Sequence, residues 1–272
     1  MTRRLHWLDY STTEYADIDP AKTIAILPTA AIEQHGPHLP VGVDTEINLG
    51  MLREVCARLP EDLDIRILPV QAVGKSNEHL HAPGTLTLTA ETALKAWVEI
   101  GLSVARAGVR KLIIVNSHGG NLDLISIASR ELRVRAGMLA VRCQWGAFGS
   151  PPGLLSDREK TFGIHGGDSE TSLMLHFRPE LVQMDKATDF ASTAEAMSNE
   201  FKWLRPTGSV AYGWISKDLN RAGTVGEAHL ASADKGAAIA AHQAQGFIEL
   251  LREVESVDLD DFAAFADPPP GA

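Results

Sequence analysis

The chain has 272 residues, 44% hydrophobic and 22% charged, which fits one large globular domain with a substantial core and does not force two. Its 35 acidic residues outnumber 25 basic ones, a net charge of -10, and an acidic balance without a basic run argues against nucleic acid or an anionic membrane as partner. No apolar stretch approaches the ~20 residues of a spanning helix, the opening MTRRLHWLDYSTTEY lacks the apolar core of a signal peptide, and Cys56 and Cys143 form neither a ligand-like spacing nor a disulfide framework, so a reducing, cytoplasmic setting is expected.

The first predicted strand is TIAILP (23–28). It runs into AAIEQHGPHLPVGVDTE (30–46), where Glu33, His35, His38, Asp44 and Glu46 crowd a loop stiffened by Pro37 and Pro40. Acids and imidazoles brought together are costly to desolvate unless something pairs with them. A metal ion held by a fixed, non-helical backbone is the obvious partner. A helix is expected over 46–59, then a strand DIRILP (64–69) and the loop EHLHAPGTLTL (78–88).

Residues 90–107 follow Thr89 as N-cap and place Leu94, Trp97, Val98, Leu102 and Ala105 on one face, with Gly108 able to end the helix in a left-handed turn. The strand KLIIVN (111–116), the loop NSHGGN (116–121), a helix over 122–136 ending at Gly137 and the strand MLAVRCQ (138–144) come next. The run from His165 through Asp168, Glu170 and Ser172 leads into LMLHF, with Glu170 in the opening turn of a helix and His165 in the glycine loop before it. Region 185–230 reads as irregular around one helix (191–203). A last helix covers 233–254, and the proline-ended tail, 262–272, is expected to be loose.

Strands alternating with helices imply βαβ units, hence an α/β fold with a mostly parallel sheet between helical layers. In open α/β sheets ligands bind beyond the carboxyl ends of the strands. The loops after 23–28 and after 111–116 both leave such ends. Glu33 and His35, two apart in an extended loop, face the same side. Asp44 is a carboxylate able to bridge two ions. With His118 and Glu170 the set is three carboxylates and two imidazoles, suited to two divalent ions, Zn²⁺, Mn²⁺ or Fe²⁺. Two such ions ~3.5–4 Å apart activate a water and polarise a carbonyl, and His165 is placed to shuttle a proton to a leaving nitrogen.

Each residue also has a plainer reading on its own. Glu33 fits a solvated surface carboxylate, His118 a hydrogen-bonded core histidine, His165 a loop histidine without a role. Glu170 fits a first-turn acid on a helix dipole, and Asp44 an N-cap in competition with Thr45. His38 and His79 are equally ambiguous, while His81, His176, His229 and His242 read as structural or surface groups. The joint arrangement is what favours a site.

EQHGPHLPVGVDTE, EHLHAPGTLTL, NSHGGN, HGGDSETS and the closing segment GTVGEAHLASADKG (223–236) resemble the motifs of the creatininase family of metal-dependent amidohydrolases, in family order and over most of the chain. The resemblance implies a three-layer α/β/α fold, a two-metal site and hydrolysis of a non-peptide or peptide-like C–N bond, in an amide, cyclic amide or formamide, by a hydroxide that two metals activate. It implies Glu33, His35, Asp44 and His118 as metal ligands with Asp44 as bridge, Glu170 as the fifth, and His165 as acid/base. It implies two divalent ions, Zn²⁺ first, a small-molecule substrate, and a homo-oligomer, often a hexamer.

The creatinine-cleaving pattern resembles N-G-H-Y-E-N at the second motif, with a metal-binding glutamate where this chain has Gly120, which argues against creatinine. Trp145 and His79 are the candidate substrate contacts, with a core role the alternative for Trp145. The other readings are ring-opening hydrolysis of a C–C or lactone bond in a polyol-derived substrate, trimming of a precursor peptide, and a non-catalytic binding protein on the same fold.

Overall fold

A computed structural model describes residues 3–262; most of the expected tail, 263–272, lies outside the described residues. Four short apolar runs form one parallel sheet: β1 (Ile24–Thr29), β2 (Ile65–Ile67), β3 (Lys111–Asn116) and β4 (Leu139–Gln144), in the order β2-β1-β3-β4. Among the described residues the helices are α1 (Thr12–Tyr15), α2 (Val43–Arg58), α3 (Ala90–Arg106), α4 (Leu122–Ala136), α5 (Asp157–Phe162), α6 (Asp168–Phe177), α7 (Thr193–Glu200), α8 (Ser216–Leu219) and α9 (Ala233–Ser256).

Strand periodicity decides which helices cover which face. Ile24, Ile26, Ile113 and Val115 join the core under α2, α6 and α9. Their neighbours Ala25, Leu27, Leu112 and Ile114 join the core under α3 and α4. Both central strands are buried along their whole length, as expected of parallel strands covered on two sides. At the sheet edge β4 is only partly buried. The fold is thus the expected α/β sandwich with helices on both faces. None of its described helices is long and apolar enough to cross a membrane.

The strand order creates the site. The chain passes from β1 to β2 on one side, then crosses back past β1 to reach β3 on the other. The switch point lies between β1 and β3, whose registers run level from Ile24 opposite Lys111 to Thr29 opposite Asn116. Two loops therefore diverge from the same height, which is where open α/β sheets leave a crevice.

Several expected boundaries shift. Helix α2 starts at Val43, not 46, because its buried stripe of Val43, Ile47, Met51 and Val55 begins there. Asp44 consequently sits inside the first turn, and neither it nor Thr45 is the N-cap; Gly42 is. The 191–203 helix is only Thr193–Glu200, capped by Ser192 Oγ and ended by an extended Phe201. Strand β2 is three residues long. The Thr89 cap is present, Thr92 N–H donating to its hydroxyl at 3.2 Å. Gly108 (φ +92) and Gly137 (φ +61) take the left-handed conformations that end α3 and α4.

Candidate metal centre

The loops after β1 and β3 are tied together by buried amides. Thr29 Oγ1 donates to Asn116 Oδ1 (3.1 Å), and Asn121 Nδ2 donates to the same oxygen (3.1 Å) and to Ala30 O (3.0 Å). Asn48 Nδ2, on α2, donates to Thr29 O at 2.9 Å. Lys75 N–H donates to Asn121 Oδ1 at 3.0 Å, which draws the 75–79 turn over the same spot. The cost of burying these polar groups is met because each finds a partner.

On this frame Glu33, His35, Asp44 and His118 converge, each nearly inaccessible to solvent. Their ring nitrogens are sorted by backbone carbonyls. His35 Nδ1–H donates to Glu33 O (3.0 Å), leaving Nε2 facing Asp44 Oδ1 (3.6 Å) and Glu170 Oε2 (3.7 Å). His118 Nε2–H donates to Lys75 O (2.9 Å), leaving Nδ1 facing Glu33 Oε1 (3.2 Å) and Asp44 Oδ2 (3.5 Å). His165 Nε2–H donates to Gln34 O (2.7 Å), leaving Nδ1 at 3.5 Å from Glu33 Oε1. A backbone carbonyl behind each imidazole is the usual way a ligand histidine is oriented.

Two buried atoms bear on whether these groups fit an ion. His35 Nε2 and Asp44 Oδ2 have no hydrogen-bond partner among the described residues. Orphaned buried polar atoms are costly, and separations of 3.5–3.7 Å are too long for a hydrogen bond. Two ligands each ~2.1 Å from one tetrahedral ion lie about 3.4 Å apart. Imidazole nitrogen and carboxylate oxygen are donors that zinc and manganese accept. Candidate ligand groups overlap here: Glu33 with His35 and Asp44, and His35 with His165 and Glu170.

Electrostatics carry the same message. Burial opposes the charged form of His35, but Asp44, Glu170 and Glu33 outweigh it and raise the ring to about 9. His118 is likewise penalised by burial and lifted by Glu33 and Asp44, to about 10. Burial pushes the Glu170 carboxyl up to about 7, with His35 opposing, and burial together with the Glu33 charge raises Asp44. Glu33 goes the other way: burial favours its neutral form, but His118, His165 and His79 hold it well below the usual carboxylate range. His165 is pushed well below the usual imidazole value by burial and the neighbouring His35. Without metal the cluster thus favours the protonated forms of His35 and His118.

The structure brings together Glu33, His35, Asp44, His118, Glu170 and His165. His79 joins them, 2% exposed, its Nε2 at 3.5 Å from Glu33 Oε1. Trp145 does not. Expected as a substrate contact, it is 3% exposed in the core, its ring against Phe247 and Phe148 and its Nε1–H donating to Asn48 Oδ1. A large apolar ring just past an edge strand is drawn to the hydrophobic layer beneath α9.

Three participants were not singled out in the sequence. Ser76 Oγ contacts Glu33 Oε2, and Gln34 lies among His79, His165 and Gly223. Glu78 Oε1 stands 3.6 Å from His118 Nε2 and fills the space above Gly120, where a Cβ would collide with it. The signal for Ser76 and Glu78 was their nearness to His79, and for Gln34 its place between two proposed ligands.

Comparison with known proteins agrees with this geometry. The family model described as creatininase, creatinine amidohydrolase, matches residues 8–251. A mycofactocin precursor peptide peptidase of Mycobacterium ulcerans is 32% identical over 216 residues, covering 78% of this chain and 77% of the relative. A creatinine amidohydrolase of Pseudomonas putida is 29% identical over 266 residues, covering 92% and 95%. A solved manganese creatininase superposes with a TM-score of 0.73 at 27% identity, covering 94% of this chain and 100% of that one.

Proposed function

This chain belongs to the creatininase family and is an amidohydrolase, and from that premise we propose that it cleaves an amide C–N bond with two divalent ions held by Glu33, His35, Asp44, His118 and Glu170. The observation that carries the two-ion reading is the posture of Asp44. Its Oδ1 faces His35 Nε2 at 3.6 Å, and its Oδ2 faces His118 Nδ1 at 3.5 Å. One carboxylate thus serves two pockets, one completed by Glu170 beyond His35 and the other by Glu33 beyond His118. Ions bound there supply Lewis acidity toward a carbonyl and lower the pKa of a water.

The remaining groups position the substrate and move protons. His165 Nδ1 is the free ring nitrogen at the cluster, and its burial keeps it uncharged and able to accept a proton there. It takes a proton from the attacking water and delivers it to the departing nitrogen. His79 stands beside it, ring centroids 4.4 Å apart, at the wall a substrate meets. The crowding above Gly120 supports a substrate other than creatinine. Similarity to the mycofactocin precursor peptide peptidases supports testing a peptide amide first, with formamides and cyclic amides behind it. Family resemblance also leads us to expect a homo-oligomer, to be read as mass by light scattering.

Elemental analysis of protein purified without chelator, paired with an amine-release panel of short peptides, formamides and lactams, tests the reading. About two equivalents of zinc, manganese or iron and amine release are expected. Acid release without amine would replace the C–N reading with ring opening of another bond. Less than about half an equivalent after metal is added back would remove the two-ion site.

A further inference from the structure

We propose that Gln34 is a positioning residue that locks His79 as the Nε2–H tautomer, so that His79 turns an N–H rather than a metal-ligating lone pair toward Glu33. Two backbone groups fix the amide of Gln34. Gly36 N–H donates to Gln34 Oε1 at 2.9 Å, and Gln34 Nε2 donates to Gly223 O at 2.5 Å. Each backbone group has one polarity, so the buried amide has one orientation: turned over, it would set N–H against N–H and carbonyl against carbonyl. The second amide hydrogen is then available to His79 Nδ1, 2.8 Å away. The other neighbours of Gln34 Nε2, Ser216 Oγ and His165 Nε2, are both at 3.4 Å, beyond good hydrogen-bond range.

His79 Nδ1 is therefore an acceptor, and a neutral ring keeps its one hydrogen on Nε2. That nitrogen faces Glu33 Oε1 at 3.5 Å. The polarity is the reverse of its neighbours. In the neutral form that ligation requires, His35, His118 and His165 each spend their single N–H on a backbone carbonyl and turn a lone pair to the carboxylates. Among these four neutral imidazoles His79 alone turns an N–H to them. Where the other three turn a lone pair to the cluster, it turns an N–H toward the Glu33 carboxylate, whose negative charge that polarity favours.

The inference also accounts for part of the segment GTVGEAHLASADKG (223–236) that no proposed ligand uses. Gly223 has φ +79, and a Cβ there would come within 2.7 Å of Gln34 Oε1. The bare glycine lets its carbonyl reach the amide that sets the tautomer.

The consequence for metal rests on the reading of Glu33 as a ligand; the tautomer does not. Neutron diffraction from deuterium-exchanged crystals of the full chain at neutral pH, as purified and after chelator, reads the hydrogen directly. Deuterium on His79 Nε2 alone is expected; deuterium on Nδ1, alone or together with Nε2, overturns the proposal. In Gln34→Glu, whose carboxylate offers Nδ1 no hydrogen, the deuterium should move to Nδ1, and an unchanged ring overturns the assigned role of Gln34.

A second pair of variants covers a Gln34 variant that does not fold. The amide nitrogen of His79→Gln lies near the position of Nε2, and that of His79→Asn near Nδ1. Zinc affinity by chelator competition should stay near wild type in the first and fall by about 10–100-fold in the second; equal affinities overturn the proposal. Wild-type protein that takes up no zinc at all would instead defeat the hydrolase reading, and the deuterium position would still decide the tautomer.

Discussion

Asp44 and His165 illustrate two ways a residue can be essential, and substitution should separate them. Asp44 Oδ2 and His118 Nδ1 lie 3.5 Å apart. Removing either takes one donor atom from the set that would hold an ion and leaves the other facing a single remaining partner, His118 toward Glu33 or Asp44 toward His35. His118→Ala and Asp44→Ala are therefore expected to lose bound metal, checked by elemental analysis; full metal content in both would sink the ligand assignment. His165 sits one step back, its Nε2–H anchored on Gln34 O, so His165→Ala should keep its metal and lose about 10²–10⁴ in turnover. Undiminished turnover would remove it from the mechanism.

A proton balance follows from the same residues. His35 and His118 are raised to about 9 and about 10, so in the metal-free protein both carry protons at pH 7. Ions must displace those protons. Metal loading at pH 7 should release them, and affinity should rise with pH and level off near 9–10. Calorimetry in two buffers of different ionisation enthalpy checks this; identical heats would count against both imidazoles as ligands.

At the scale of elements, the site depends on helices that touch no substrate. Glu170 is carried in the first turn of α6, and α6 lies against α9 at Gly236, where a Cβ would overlap the Ser172 carbonyl oxygen. Because backbone cannot swing aside as a flexible side chain can, Gly236→Ala should force the two helices apart. Overpacking of this kind costs about 1–3 kcal/mol. The expected outcome is a lowered midpoint in thermal unfolding with weakened metal binding through Glu170. An unchanged midpoint would mean that the helices part without cost. The sequence showed α9 by its periodicity but not this contact, because a glycine at a helix crossing looks like any helix-weakening glycine until the partner helix is known.

The same limit explains what else was legible. The helices of 90–107, 122–136 and 233–254 could be read because burial on one face leaves a repeat in the chain, and the strands because burial on both faces leaves short, nearly continuous apolar runs. Glu33, His35, Asp44, His118, Glu170 and His165 could be read because they lie at strand ends or a helix start within quotable motifs. Trp145 was misplaced because an indole beside a site and an indole beneath it have the same local sequence. Gln34 and Glu78 escaped because they act through neighbours 45 and 40 residues away, His79 and His118 respectively, a relation only the fold creates.

For the whole molecule, the site is a seam. It joins the loop after β1, the loop after β3, the 75–79 turn and the start of α6, segments from four parts of the chain that close over the sheet's switch point. Ions bound there favour the folded state by mass action, since the unfolded chain has no such pocket. At about 1,000 times the dissociation constant the gain is ~4 kcal/mol, and for a chain of this size roughly 2–4 °C per kcal/mol follows. Loading should thus raise the midpoint by roughly 8–16 °C over chelated protein. The sign of the pH dependence is fixed as well. His35 and His118 have folded values above the ordinary 6.5, so their contribution to the metal-free protein is complete below 6.5 and is lost as pH rises through about 9 and about 10. Glu170, raised to about 7, changes in the same direction. The metal-free protein should lose stability from pH 6.5 upward, while the loaded protein, whose imidazoles carry no proton to lose, should not. Thermal melts of both forms across that range decide the matter: parallel curves would mean that the cluster does not couple ion binding to the fold.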